Sequence, residues 1–259
     1  MISILLATYN WPQALKLSLE SLATQTDRDF EIIIADDGST KQTKELIEHI
    51  RATHPIAITH LWQDDQGFRK TKILNQAIAS TQGDYLIFLD GDCIVQPDFV
   101  AQHRALAQKN YLVTGSRVLL NETLTHELFT WPHWDFARFD ASLLRERIRG
   151  GINKYWPIKI KLGNGSWRDY KKFVWRRIKG CNMACWKSDA QMIEGFDETM
   201  TGWGHEDADF VFRLQRHGIQ RKSGSWATEV FHLFHKIHDQ SNAAENARRV
   251  REKILAKAM

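Results

Sequence analysis

Over roughly its first hundred residues the chain alternates short apolar runs with helix-period segments, and each run stops at a polar or acidic cluster. Residues 2–7 are apolar but for Ser3, and Thr8, Tyr9, Asn10, Trp11 and Pro12 break them off. Pro12 suits the first position of a helix, whose stripe would be Leu15, Leu19 and Leu22. Residues 30–35 are a second run, ended by Asp36, Asp37, Gly38 and Ser39, with a helical stretch over 40–50. A weaker run covers 56–62, a helix with Ile73, Leu74, Ala77 and Ile78 on one side covers 69–80, and residues 85–89 run into Asp90, Gly91 and Asp92. Pro97 opens a further helix. Strands alternating with helices require right-handed crossovers and a mostly parallel sheet, so the fold class is α/β and Rossmann-like. Ligands of such sheets bind beyond the carboxyl ends of the strands. The three most polar ends here are residues 8–10, 36–37 and 90–92, and one nucleotide site lined by all three is the economical expectation.

The remainder is less regular. Residues 119–179 show no clean period and are rich in Trp, Phe, Lys and Arg, which reads as an inserted, irregular or helical segment. Order returns with helices expected over 186–194 and 206–217, a strand over 226–231, and a charged terminal helix over 242–257. The expected organisation is a nucleotide-binding half (1–115), a basic aromatic insertion (116–178), an acceptor-binding and catalytic half (179–240) and a C-terminal helix (241–259). No apolar run reaches the roughly 18 residues of a membrane span, and the first residues lack a basic leader, so a cytoplasmic protein is expected. Three cysteines, Cys93, Cys181 and Cys185, fit neither a disulfide framework nor a Cys-rich zinc site.

Several clusters carry chemistry beside a plainer alternative. Asp90 and Asp92, two apart after a strand with Gly91 between them, can converge on one hard cation, although Asp-Gly-Asp is also ordinary turn chemistry. Asp36 and Asp37 can accept hydrogen bonds from a ribose or a base, or simply close the turn before a helix. Gly67, Arg69, Lys70 and Lys72 ahead of Asn75 suit a diphosphate at a helix N-terminus, or form a solvated basic turn. In residues 202–210, glycines flank Trp203, and Glu206 and Asp207 begin a helix. A carboxylate there can act as a general base toward an acceptor hydroxyl, or only offset the positive helix end. His232, His235 and His238 can complete a metal site begun by carboxylates.

Taken in order, these residues resemble glycosyltransferase family 2, the inverting enzymes of GT-A fold, over about residues 1–115 and 179–235. The resemblance is carried by Thr8-Tyr9-Asn10, Asp36-Asp37-Gly38-Ser39, Lys72 with Asn75, and Asp90-Gly91-Asp92. The second half is similar to the galactosyltransferase C-terminal motif in residues 179–184, 195–198 and 202–210. The resemblance implies a nucleotide-sugar donor, a glycan or glycolipid acceptor, and Mn2+ or Mg2+ as cofactor. It implies donor contacts from Thr8, Tyr9, Asn10, Asp36 and Arg69, and from Lys72, Asn75, Asp90 and Gly91. It implies metal ligation by Asp92 with His235 or His232, with Asp90 near the ribose or the metal. Asp207 matches the catalytic base with Glu206 beside it, and Trp203, Gly204 and Glu206 face the acceptor. The Asp-Gly-Asp form departs from the Asp-Ser-Asp-Asp version common in that family, and His205 stands where many relatives have glycine.

Charge is uneven within a net +4: residues 145–179 hold twelve Lys or Arg against Glu146 and Asp169. Interleaved with Trp156, Trp167, Tyr170, Phe173 and Trp175, this basic stretch suits an anionic membrane surface or a phosphorylated glycolipid, or a solvated face over a local core. Peripheral attachment to the inner face of a membrane, and a place in lipopolysaccharide core or other surface polysaccharide assembly, are the matching expectations. The rivals are a degenerate carbohydrate-binding protein, a nucleotidyltransferase and a nucleic-acid-binding protein. Residues 202–210 argue against the nucleotidyltransferase, and the acidic strand ends against nucleic acid.

Overall fold

The computed structural model describes residues 1–175, 177–236 and 242–256. Its first half follows the expected alternation: β1 (Ile2–Thr8), α1 (Pro12–Ala23), β2 (Phe30–Asp36), α2 (Lys41–Thr53), β3 (Ile58–Trp62), α3 (Lys70–Ser80) and β4 (Tyr85–Asp90). There follow β5 (Cys93–Val95), α4 (Phe99–Leu106), β6 (Tyr111–Thr114), β7 (Arg117–Leu119), α5 (Glu122–Phe129), α6 (Phe136–Arg149), α7 (Trp156–Lys159) and β8 (Asp169–Tyr170). The chain continues through β9 (Asn182–Trp186), α8 (Lys187–Met192), α9 (Glu206–Arg216), β10 (Gln220–Ser223), β11 (Val230–His232) and α10 (Ala243–Leu255).

Eight strands form the main sheet in the order β3-β2-β1-β4-β9-β6-β10-β8. β1 lies parallel to both β2 and β4, and its seven residues are all buried, as expected of a strand covered on both faces. The chain moves outward from β1 to β2 and β3 on one side, then returns to place β4 on the other. Strand order therefore reverses at β1, which opens a crevice beyond the ends of β1 and β4. Helices α1 and α2 cover one face of the sheet and α3 the other, packing against the two principal core clusters.

The second half joins the same sheet. β9 runs antiparallel to both β4 and β6 and binds the two halves at the centre. The sequence reading expects no strand here, since Asn182 to Trp186 contains no β-branched residue and does not alternate. Its strand form comes from pairing with the strongly apolar β4. A second, three-stranded sheet in the order β5-β11-β7 sits beside the crevice. Here Val230 to His232 pair with both Cys93 to Val95 and Arg117 to Leu119.

The insertion is helical where its pattern is blurred. In α6, Phe139, Leu143 and Glu146 are buried while Leu144 and Ile148 are exposed, so apolar residues occupy two faces and hide the period. Trp131, Trp134 and Phe139 pack on Phe231 of β11 and form a third core. Basic residues here are not all solvated. Arg168 is fully buried, its guanidinium donating to the Gly163, Ser223, Ser225 and Leu162 carbonyls. Arg221 is buried over the Tyr170 ring at 4.2 Å. The three cysteines are buried and unpaired, and no helix of the described residues is long and apolar enough to cross a membrane.

Candidate active site

The crevice is a cleft of about 1130 Å³. At its floor, the Gly91 N–H donates to the Ala7 carbonyl at 2.7 Å. A Cβ at Gly91 would stand 3.0 Å from that carbonyl and 3.1 Å from the Thr8 hydroxyl, so glycine lets the β1 and β4 ends close together. Thr8, Tyr9, Asp37, Arg69, Lys70 and Asp90 line one wall.

Adjacent acids after β2 point to opposite sides, as strand alternation requires. Asp36 turns into the fold. Its carboxylate accepts from the Ser39 N–H at 2.8 Å and lies 2.9 Å from His60 Nε2. Asp37 is the one that reaches the cleft, where it accepts from Gln63 Nε2 at 2.5 Å and the Arg69 N–H at 2.8 Å. Burial pushes its carboxyl above the ordinary value. Three other residues expected on the donor wall also lie off it. Asn10 links loops, its amide oxygen accepting from the Thr40 N–H at 2.8 Å. Lys72 is exposed on α3 outside the cleft. Asn75 clamps the loop before Glu198, accepting from the Phe196 N–H at 2.7 Å and donating to the Phe196 carbonyl at 2.9 Å.

Lys70, not Lys72, is the lysine that α3 delivers. Its Nζ lies 2.5 Å from Asp90 Oδ1. Burial alone would lower this ammonium, but the Asp90 and Glu206 carboxylates outweigh burial and hold it above its ordinary value. Asp90 is thereby tied to a cation and stands apart from the two histidines.

Asp92 is the acid that meets them. Its carbonyl accepts from the Leu233 N–H at 3.0 Å, and β5 pairs with β11 so that Cys93 lies opposite His232. This pairing brings together residues some 140 positions apart in sequence. Asp92 Oδ2 lies 3.6 Å from His232 Nε2 and 3.4 Å from His235 Nε2. In each ring Nδ1 faces a carbonyl, Leu233 at 2.9 Å and Lys236 at 2.8 Å, which can only accept. Nδ1 therefore carries a proton in each ring, and Nε2 is the atom turned to the carboxylate. Burial holds the His232 imidazole below its usual range, against the opposing pull of Asp92. His238 lies outside the described residues.

The opposite wall begins at a strained loop. Gly202, Gly204 and His205 all have positive φ, 75°, 109° and 71°, before α9 starts at Glu206. The C-terminal helix buttresses the loop through Asn246, whose amide donates to the Thr201 and Gly204 carbonyls. Asp207 Oδ2 accepts from the Gly180 N–H at 2.8 Å, which aims the carboxylate at the cleft. Burial and the neighbouring Asp207 push the Glu206 carboxyl up to about 7. Glu206 Oε2 is buried with no hydrogen-bond partner among the described residues. Trp203 is 38% exposed and offers a flat face in the same cleft.

The donor contacts implied by the resemblance leave out Asp37 and Lys70, which the residue patterns name, and Arg117, Trp175, Arg177 and Cys181 on the cleft wall are not expected there. Asp37 follows from strand alternation after β2, and Lys70 from its place at the first turn of α3, where a side chain faces the strand ends. The other four come from segments without periodicity.

The profile described as glycosyl transferase family 2 matches residues 3–173, and one described as the N-terminal domain of galactosyltransferase matches residues 168–236. Validoxylamine A glucosyltransferase of Streptomyces hygroscopicus subsp. jinggangensis (strain 5008) is 26% identical over 241 residues, covering 90% of this chain and 56% of that protein. The chain thus spans little more than half the length of that curated relative. S. aureus TarS 1-349 in complex with UDP-GlcNAc superposes with a TM-score of 0.69 at 15% identity, over 98% of this chain and 66% of that one. The mannosyltransferase PcManGT from Pyrobaculum calidifontis, in complex with GDP-Man and Mn2+, gives a TM-score of 0.60 at 18% identity, over 99% and 63%.

Proposed function

The chain belongs to glycosyl transferase family 2 and has the GT-A fold of its structural neighbours, and from that premise we propose that it transfers a sugar from a uridine diphosphate sugar to a hydroxyl of a glycan or glycolipid, inverting the anomeric carbon. The observation that carries this reading is one cleft with Asp92, His232 and His235 gathered at one place and Glu206 and Asp207 on the facing wall.

The donor set fits a divalent cation. Two ligands about 2.1 Å from one ion stand roughly 3–3.5 Å apart for angles between square and tetrahedral, close to the separations of Asp92 from the two imidazoles. A carboxylate with two imidazoles suits Mn2+ better than Mg2+, which favours oxygen ligands. Bound there, such a cation would supply Lewis-acid neutralisation of the departing diphosphate.

The protein's own groups do the rest. Asp37 and Thr8 receive the nucleoside, and Arg69 and Lys70 face the diphosphate with Asp90 and Gly91 beneath. Asp207, oriented by the Gly180 N–H, takes the proton of the acceptor hydroxyl. The acceptor oxygen forms its bond to the anomeric carbon as the bond from that carbon to the diphosphate oxygen breaks. Glu206 binds a second acceptor hydroxyl through its unpartnered oxygen, and Trp203 stacks on the sugar with Gly204 leaving room for it. A panel of nucleotide sugars, each incubated with manganese and scored for donor hydrolysis, tests the reading. At least one uridine diphosphate sugar should be hydrolysed, and hydrolysis of none sinks it.

The reading extends to a membrane-bound acceptor. Asp140, Leu144 and Ile148 lie on one stripe of α6, and Lys159 of α7 pairs with Asp140 at 2.6 Å. Trp156 and Ile160 flank Lys159 in sequence, and Leu144 and Ile148 follow Asp140 on α6; all four are exposed, as are Arg145 and Lys159. Such a face suits an anionic bilayer. Flotation with phosphatidylglycerol vesicles should show salt-sensitive binding, and its absence removes this extension.

A further inference from the structure

Beyond the triad and the two acids, the cleft carries a concentration of positive charge that the transfer reaction does not use. Arg117 opens β7, and Arg177 and Lys179 lead into Gly180, the residue that orients Asp207. All three line the cleft, and none forms an ion pair among the described residues. The cations of the donor wall differ. Lys70 is paired with Asp90, and the Arg69 guanidinium donates to Gln66 Oε1 and the Asp64 carbonyl.

A fourth cation lies behind the three. Lys154 is half-buried and fixed, its Nζ 2.8 Å from both the Ser116 hydroxyl and the Arg117 carbonyl. Burial lowers its ammonium, and Arg117, Arg177 and Lys179 add to that depression against the pull of Glu229. Each of the three is therefore near enough to Lys154 to repel it. Arg177 is also held at a φ of 73°, a left-handed conformation that costs a non-glycine residue about 1–2 kcal/mol. Like charge without an ion-pair partner on a strained backbone segment beside Asp207 suits an anion. Trp175 and Trp203, both on the cleft, supply apolar faces for sugar rings next to it.

We propose that Arg177 and Lys179, backed by Arg117, form an anion subsite on the acceptor side, so that the acceptor is an acidic glycan with a carboxylate or phosphate close to the hydroxyl that reacts. This rests on the glycosyl-transfer reading and narrows its acceptor. The anion lies beside Asp207 rather than on the donor wall, because Lys179 directly precedes the residue that anchors that carboxylate.

The test is an oligosaccharide array of matched neutral, uronic-acid and phosphorylated glycans. It is probed with the wild-type chain and the Arg177→Gln/Lys179→Gln double variant, both with manganese and a uridine nucleotide. Wild type should retain acidic members over their neutral counterparts, less so at high salt, and the uronic-acid and phosphorylated sets tell the two anions apart. The double variant should lose about tenfold or more of that binding. Retention of neutral glycans only, of none, or equal retention by the double variant overturns the proposal. So does a comparable rise in the donor KM of the variant, which would give these cations to the diphosphate. Donor hydrolysis by wild type, measured alongside, separates the outcomes: its absence strikes the transferase reading itself.

Discussion

The two walls of the cleft are built by different means. The donor wall is built mainly of strand ends: β1 supplies Thr8, the turn after β2 supplies Asp37, and β4 and the turn after it supply Asp90 and Gly91, with Arg69 and Lys70 added from the start of α3. The strand ends are fixed by the sheet's own hydrogen bonds and by burial of the strand behind them, and the Asp37 carboxylate also by Gln63 and the Arg69 N–H. The acceptor wall is made of loops held by side-chain hydrogen bonds. Asn75 clamps Phe196, Asp207 bonds Gly180, and Asn246 holds Thr201 and Gly204. Asn182, fully buried, donates to the Ser116 and Thr228 carbonyls, and its own carbonyl receives the Gly115 N–H at 2.8 Å. A wall of strand ends is set once the sheet forms, whereas a wall of bonded loops can vary in sequence while the sheet stays intact. On the proposed reading, the wall of strand ends would take the nucleotide and the wall of loops the acceptor.

The comparison breaks most sharply at Asp207. General-base help is typically worth about 10²–10⁴-fold in rate, so Asp207→Asn should lose turnover on that scale while donor binding, measured by titration with manganese, stays near wild type. Retained turnover would remove Asp207 from the chemistry. Asp92→Ala tests the donor side. Changes in groups behind a metal ligand cost roughly 10–100-fold in metal affinity, and loss of the ligand itself should reach at least that. The expected result is donor binding that no longer responds to manganese. An unchanged manganese dependence would separate Asp92 from the histidines in function.

The same contrast explains what was legible in the sequence. The parallel strands announce themselves as apolar runs, so residues 1–90 and the crevice could be read directly. Asp92 and the histidines were identifiable as residue types in a family order, but their meeting depends on β5 pairing with β11, two three-residue strands too short to carry a period. Apart from Lys72, which simply faces solvent on α3, the expected residues that lie off the cleft share one kind of cause. Asp36, Asn10 and Asn75 are polar residues in the right order whose hydrogen bonds are used by the fold, and only their bonding partners distinguish them from ligand-binding groups. Arg117, Arg177 and Trp175 were hidden because a surface cation or aromatic has no position-specific signal until the chain folds around it.

A third test probes how the loop-built wall is held. His103 is fully buried on α4, 3.1 Å from the Asn182 amide oxygen through Nε2, and burial lowers its imidazole to about 4. A group whose folded value lies below its unfolded value binds fewer protons in the folded state. Its contribution is present above about pH 6.5 and is lost as pH falls toward 4, a difference of roughly 3 kcal/mol. Glu206 acts in the opposite sense over nearly the same window, since its carboxyl is raised, so the measurement is wild type against His103→Asn. Chemical denaturation should show wild type losing stability between pH 6.5 and 4 more steeply than the variant. Parallel curves would mean that His103 is not held neutral inside the fold.

The smallest effect is expected at His205, in the loop that begins the acceptor wall. Its φ of 71° lies in the left-handed region, which costs an L-residue about 1–2 kcal/mol and a glycine little. The ring recovers part of that by standing edge-on to Trp175 at 5.0 Å, a contact worth about 0.5–1.5 kcal/mol. His205→Ala keeps the strain and loses the ring, so it should destabilise the chain by about 1 kcal/mol. His205→Gly loses the ring and the strain together, with some added freedom in the unfolded chain, and should come out near neutral. Glycine should therefore exceed alanine here by roughly 1 kcal/mol, the reverse of their order inside a helix. If thermal unfolding found the alanine variant equal or more stable, the loop before Glu206 would not be strained, and the acceptor wall would be as relaxed as the donor wall.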